Sequence, residues 1–165
     1  MNTRVAVVMG SDSDLPIVQR AIDILHRFGV PYTARVMSAH RTPDAAADFA
    51  KSARDDGFGV IIAAAGKAAH LGGVLAAYTT IPVIGLPIKS STMDGLDSLL
   101  SMVQMPKGIP VATVAIDGAE NAALLAISIL ALFDADLSLK LDAYRKQMSD
   151  EVTEKDAALQ HQLSQ

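Results

Sequence analysis

Apolar runs of strand length alternate along this chain with Ala-rich helical patterns. That alternation is the signature of βαβ units, which set parallel strands side by side and cover them with helices. The runs are Arg4 to Met9, Tyr32 to Met37, Gly59 to Ala64, Pro82 to Leu86 and Val111 to Ile116. After the first, the spacing predicts a helix over about Leu15 to Phe28, with Ile17, Val18, Ala21, Ile24, Leu25 and Phe28 on one face and a stop at Gly29. After the second, Asp44 to Asp56 reads as a helix. Half of the residues are hydrophobic, yet only 4% are aromatic and none is Trp, so the core is Ala, Val, Ile and Leu. Such a core suits a parallel sheet buried on both faces. With no internal repeat or linker, residues 1–165 are expected to form a single α/β domain, with a charged, amphipathic helical extension from about Asp136.

Charge and cysteine usage narrow the function classes. A net charge of −4 and an estimated pI near 5.4, with no basic run, argue against nucleic acid or an anionic membrane surface as the main partner. The absence of cysteine excludes disulfides, thiolate metal sites and a Cys nucleophile, and fits a reducing compartment. The first strand begins within a few residues of Met1, no leader pattern precedes it, and the longest apolar stretches fall short of a membrane span. The expectation is a soluble cytoplasmic protein.

Three strand-to-helix junctions carry the polar side chains. The first is Gly10-Ser11-Asp12-Ser13-Asp14, which leads through Leu15 and Pro16 into a helix. Freed backbone N–H groups and the helix dipole attract an anion there, and Ser11 and Ser13 can donate to phosphate oxygens. Two carboxylates would repel a bare phosphate, so Asp12 and Asp14 suggest a ligand that also offers hydroxyls, such as a ribose. The alternative is that Asp14 only caps the helix. The second junction is Ser38-Ala39-His40-Arg41-Thr42-Pro43, in which Thr42 and Pro43 suit a helix start. His40 and Arg41 lie where open α/β sheets hold their ligands. The third is Ala65-Gly66-Lys67-Ala68-Ala69-His70-Leu71-Gly72-Gly73, whose small residues permit close approach of a ligand or of a neighbouring helix. In a doubly wound sheet these junctions converge on one edge, which makes a site there.

The remaining segments point to surfaces rather than chemistry. The connection from Pro87 to Pro110, with a short helical pattern at Leu96 to Val103, is long enough for a lid or a subunit contact. Asn121 to Leu132 is apolar all round, which implies burial on every side and hence a homo-oligomer. The segment from Asp136 to about Lys155 is expected to dock on a neighbour or on the outside, and Gln160 to Gln165 to fray. His26, near a helix C-terminus, and His161 are assigned no role.

Four motifs in order now carry a resemblance. The first two junctions, Ala64-Ala65-Gly66 with Ala68-Ala69-His70-Leu71, and Asp94-Gly95-Leu96-Asp97-Ser98-Leu99-Leu100-Ser101-Met102-Val103-Gln104-Met105-Pro106 are similar to the N5-carboxyaminoimidazole ribonucleotide mutase family of bacterial purine synthesis. The resemblance runs from the first strand to the apolar helix. It implies a flavodoxin-like three-layer domain, C-terminal helices used in oligomer contacts, and assembly as an octamer. The implied reaction moves a carboxylate from the exocyclic nitrogen of an aminoimidazole ribonucleotide to carbon 4 of the ring, with no metal, ATP or organic cofactor. Carried over by position, His40 matches the catalytic histidine, and Ser11, Asp14 and Arg41 match substrate-binding residues. Gly10, Ser13, Ser38, Ala39, Ala65, Gly66, His70 and Leu71 are assigned to the same site, with His70 in the loop that closes on the carboxylate end. Arg41 offers a planar fork suited to phosphate. A histidine can both give and take a proton near neutrality.

Two positions depart from the family's pattern. Lys67 stands where the family more often has Gly, and Gly72 where it more often has Pro. A basic residue at 67 resembles the branch that carboxylates aminoimidazole ribonucleotide with free carbon dioxide, whereas Arg41 and His70 resemble the mutase branch. A non-enzymatic flavodoxin-like module is a poorer fit. The third strand ends in Ala63-Ala64-Ala65 where a phosphorelay receiver needs an acid, and three Tyr with no Trp offer few surfaces for a flavin.

Overall fold

A computed structural model describes residues 3–91 and 93–164 of the chain. Strands β1 (Arg4–Met9), β2 (Tyr32–Val36), β3 (Phe58–Gly66), β4 (Val83–Ile88) and β5 (Ala112–Thr113) form one parallel sheet in the order β2-β1-β3-β4-β5. That order is the flavodoxin-like one, with its switch point between β1 and β3. Helices α1 (Leu15–Phe28), α2 (Pro43–Ser52), α3 (Leu71–Tyr78), α4 (Leu96–Val103), α5 (Ala119–Ala131) and α6 (Ala135–Leu163) complete the chain. Side chains alternate across the strands. Val5, Val7, Ile62, Ile84 and Leu86 pack with α1 and α5, while Ala6, Val8, Ile61 and Ala63 pack with α2, α3 and Met102 of α4. Three layers result, as expected. Each fully buried Val, Ile or Leu contributes about 1.5–3 kcal/mol, so the two-sided burial of β1 and β3 anchors the site at their ends.

Several boundaries differ from expectation. The second helix ends at Ser52, not Asp56, because the chain reverses through a turn in which Gly57 takes φ +84° and Phe58 N–H donates to Ala53 O. β5 pairs through only two residues of the expected six. Pro110 has no N–H to give, and after Val114 N–H reaches Gly85 O the chain leaves the edge toward Asp117 at φ +55°. β3 and β4 each run two residues further than expected, to Gly66 and Ile88.

One side of α5 is covered within its own chain. Ala119, Ala122, Ala123, Ala126, Ile127 and Leu130 are buried against α1 and the sheet, and α6 packs beside them through Leu137, Leu141 and Tyr144. Leu124, Leu125 and Ile129 of the same helix are only half-buried in the single chain, and Leu132 just beyond it is exposed. α6 is one helix of 29 residues that continues through Gln160 to Leu163, where the sequence predicts fraying; Gln165 lies outside the described residues. Glutamine is a good helix former, so a Gln-rich end does not by itself break a helix. The first half of α6 docks on the C-terminus of α1: Lys140 Nζ donates to Phe28 O at 2.9 Å, Arg27 Nη2 to Gln147 Oε1 at 2.8 Å, and Tyr144 meets Phe28 edge-on. Beyond Tyr144 the helix is exposed. Among the described residues no helix is long and apolar enough to cross a membrane.

Candidate active site

The C-terminal ends of β1, β2, β3 and β4 surround a cavity of about 580 Å³, within the usual range of about 300–1,000 Å³ for small-molecule sites. It sits at the switch point that the strand order dictates.

From the end of β1 come Gly10, Ser11, Ser13 and Asp14. Residues Asp12–Asp14 form a single 3₁₀ turn that leads directly into α1. Ser13 N–H donates to Ser11 Oγ at 3.3 Å, and Ser11 N–H donates to Asp14 Oδ2 at 3.1 Å, a reciprocal capping box. Asp14 thus has a structural role, and it also faces the cavity. It caps the turn and not α1, where its side chain makes no cap bond. Burial pushes its carboxyl above the usual carboxylate range; the Ser11 N–H pulls the other way and the neighbouring Asp12 pushes up again. Asp12, which the sequence groups with Asp14 as a ligand residue, lies outside this cavity, with Oδ1 accepting from Ser11 Oγ at 3.3 Å.

From the end of β2 come Ser38, Ala39, His40 and Arg41. Their loop is tied by its own side chains. Ser38 Oγ accepts from His40 N–H at 3.3 Å and Arg41 N–H at 3.1 Å. Thr42 Oγ1 accepts from Ser38 N–H at 2.9 Å and donates to Ser38 O at 3.1 Å. Thr42 therefore turns back on the loop instead of capping α2 with its side chain. Arg41 Nη2 donates to Gly10 O at 3.2 Å and so joins the first two junctions.

β3 contributes Ala65, Gly66, Lys67 and Ala68, and α3 contributes Leu71. Lys67 holds φ +55°, a left-handed conformation that costs a side-chain-bearing residue about 1 kcal/mol or more. Glycine takes it freely. Gly72 is the second residue of α3, where Pro is tolerated because a first-turn N–H has no helical partner. The two departures from the family's pattern are thus both backbone positions. His70 does not line this cavity. Its Nδ1 instead meets His40 Nε2 at 2.9 Å.

β4 supplies Ile88 and the segment Lys89-Ser90-Ser91, which the length of its connection marks as a lid or a subunit contact without placing it in the site. It is the fourth strand-to-helix junction of the same edge, and that was the available signal. Asp117 Oδ1 accepts from Lys89 N–H at 2.8 Å, Lys89 Nζ meets Asp94 Oδ1 at 3.2 Å, and Ser90 Oγ donates to Asp97. The cavity wall therefore carries Arg41, Lys67 and Lys89 against one carboxylate, Asp14. Such a balance attracts an anion bearing more than one charge. Among the described residues no group of His, Asp or Glu is arranged to hold a metal ion.

Sequence and structure comparisons place the chain among known proteins. The sequence model of the AIR carboxylase family matches residues 4–151. The N5-carboxyaminoimidazole ribonucleotide mutase of Pyrococcus horikoshii is 58% identical over 151 residues, which cover 92% of this chain and 85% of that protein. The protein of the same description from Thermotoga maritima is 53% identical over 152 residues, 92% of this chain and 89% of its own. The crystal structure of Treponema denticola PurE superposes with a TM-score of 0.87 at 30% identity, over 94% of this chain and 98% of that one.

Proposed function

The chain belongs to the AIR carboxylase family, and on that premise we propose that it is an isomerase of purine biosynthesis, converting N5-carboxyaminoimidazole ribonucleotide to 4-carboxy-5-aminoimidazole ribonucleotide. The observation that carries the residue assignments is that His40 and Arg41 share one cavity with Ser11 and Asp14. A ribonucleotide with a 5′-phosphate and a carboxylate needs donors, a cation and an acceptor for sugar hydroxyls, and these residues supply all three.

The chemistry follows from where His40 stands. Protonated His40 gives its proton to the exocyclic nitrogen as the N–C bond breaks, releasing carbon dioxide and the neutral amine. The ring's enamine electrons at carbon 4 then attack the carbon dioxide and form the new C–C bond. His40 takes the proton from carbon 4, which restores both the aromatic ring and the imidazolium. One residue thus opens and closes the cycle with no net proton change. Ser11, Ser13 and Arg41 hold the phosphate end, Asp14 accepts from the ribose, and Gly10, Ser38, Ala39, Ala65, Gly66 and Leu71 form walls small enough to keep carbon dioxide beside the ring. His70 acts through His40.

His40 and Lys67 are both exposed in the single chain, so a neighbouring copy is assigned to close the cavity. The assembly is a homo-oligomer, taken as the octamer that the resemblance implies, and its contacts include Leu132 and Phe133, which are 76% and 72% exposed. The cysteine-free chain suits the cytoplasm, and the nucleotide is the only ligand the reaction requires.

An absorbance assay of ring carboxylation tests the reading with two substrates. Turnover of the N-carboxylated nucleotide at low bicarbonate, with little from the free amine, is expected. Efficient turnover of the free amine, dependent only on dissolved carbon dioxide, would assign the chain to the carboxylase branch that Lys67 resembles.

A further inference from the structure

We propose that Lys67 is a substrate-binding residue, its ammonium holding an anionic oxygen group of the nucleotide. The inference rests on the substrate class proposed above and adds a residue to it. Of the three cations on the cavity wall, two are engaged within the chain: Arg41 donates to Gly10 O at 3.2 Å, and Lys89 pairs with Asp94 at 3.2 Å. The Lys67 ammonium has no hydrogen-bond or ion-pair partner among the described residues, while its carbonyl accepts from Ala69 N–H at 2.8 Å. It also stands at φ +55°, where glycine would be less strained, so a side chain is carried at this position at a cost to the backbone. Its position does, however, bring a positive charge to the cavity. Lys67 directly follows Gly66 at the end of β3 and precedes by three residues the histidine that meets His40.

The nucleotide carries two anionic groups, the 5′-phosphate and the carboxylate, whereas Arg41 presents a single fork. A second cation is needed for the other group. The lysine side chain is a flexible point charge with three donors, which suits an anionic oxygen whose position changes as the carboxylate is transferred.

The test measures binding by calorimetry with two stable nucleotides, the 4-carboxylated product and aminoimidazole ribonucleotide, which lacks the carboxylate. Lys67→Met removes the charge and keeps the stem, Lys67→Arg keeps a charge, and Lys67→Gly relieves the backbone. Loss of one charge-assisted hydrogen bond raises Kd about tenfold in Lys67→Met, while Lys67→Arg stays within about threefold. Lys67→Gly binds as weakly as Lys67→Met but melts at a higher temperature than the parent. If Lys67 holds the carboxylate, only the product binds more weakly to Lys67→Met. If it holds the phosphate, both nucleotides do, and so does ribose 5-phosphate. Equal affinity of Lys67→Met and the parent for every nucleotide overturns the proposal while the function stands. A parent protein that binds neither nucleotide overturns both.

Discussion

His40 Nε2 lies 2.9 Å from His70 Nδ1, and the two rings meet edge to face with centroids 5.1 Å apart at 78°. One nitrogen of such a pair donates while the other accepts, so the tautomer of His70 decides whether His40 holds a proton on Nε2. The loop after β2 and the residue before α3 thereby fix one ring between them. This contact makes His70 the positioning residue we propose for His40. We expect His70→Ala to lower kcat by about tenfold to a hundredfold with little change in KM, because a reacting group out of place costs rate more than binding. His70→Asn, whose amide can replace one ring nitrogen, restores part of the loss. Steady-state kinetics of the two variants check this, and an unchanged kcat in His70→Ala would detach His70 from the reaction.

Replacing His40 itself should separate chemistry from binding. Asn keeps a polar side chain of similar reach but cannot exchange a proton near neutrality, so His40→Asn should lose about 10²–10⁴ in kcat. Nucleotide affinity and oligomer size should stay close to those of the parent, since Arg41, Ser11 and Asp14 are the residues we propose to hold the ligand. Calorimetry, sedimentation and turnover on one preparation decide it. Substantial residual turnover would remove His40 from the proton transfers.

What the sequence revealed was what parallel α/β architecture makes local. Gly10 to Asp14 and Ser38 to Arg41 are each a strand end followed by a helix start, so position along the chain was enough to place them on one edge. The four-motif resemblance supplied the fold order and the reaction. Contacts set by helix orientation were not legible: the motif places His70 in the site as a ligand residue, yet its ring reaches His40 across 30 positions of sequence and misses the cavity. Residue type alone makes helix caps of Thr42 and Asp14. Both side chains instead bond to loop backbone, which competes with capping for short polar groups. α5 reads as an oligomer core because its sequence is apolar all round; α1, α6 and the sheet bury one side of it, and Leu124, Leu125 and Ile129 stay half-buried.

Asp14 ties stability to pH. Its carboxyl is raised in the folded chain, chiefly by burial, above the unfolded value of about 3.9. Between the unfolded and folded values the folded state binds more protons, so stability falls as pH rises through that window and the penalty is complete above it. Asp14→Asn removes the buried charge and can still accept the Ser11 N–H through its amide oxygen. It should therefore melt above the parent at pH 7, and the difference should close as pH falls toward about 4. The second carboxylate oxygen becomes an NH2 donor, so a ribose hydroxyl loses a charged acceptor and nucleotide affinity should drop about tenfold. Melting curves at several pH values and one binding isotherm test both halves; a variant that melts below the parent at neutral pH would mean the carboxylate is net stabilising.

Gly95 joins the connection after β4 to the cavity wall through its backbone. It holds φ +94°, and a Cβ there would lie 2.8 Å from Ile116 Cγ2 and 3.1 Å from the backbone Cα of Lys89. Its carbonyl accepts from Ser98 Oγ at 2.7 Å, and the same hydroxyl reaches Ile88 O at 2.9 Å, so the turn cannot slide away from β4. Gly95→Ala should destabilise the fold by about 2–4 kcal/mol, the sum of left-handed strain and overpacking. Gly108, at φ +100° with nothing within 4 Å of where a Cβ would stand, supplies the control: Gly108→Ala should lose only the strain, about 1–2 kcal/mol. Because Lys89 is on the cavity wall, Gly95→Ala should also raise KM, whereas Gly108→Ala should not. Urea denaturation and steady-state kinetics of the pair test the argument. Equal losses of stability would show that Ile116 yields by a rotamer change and that the contact with Lys89 does not constrain the site.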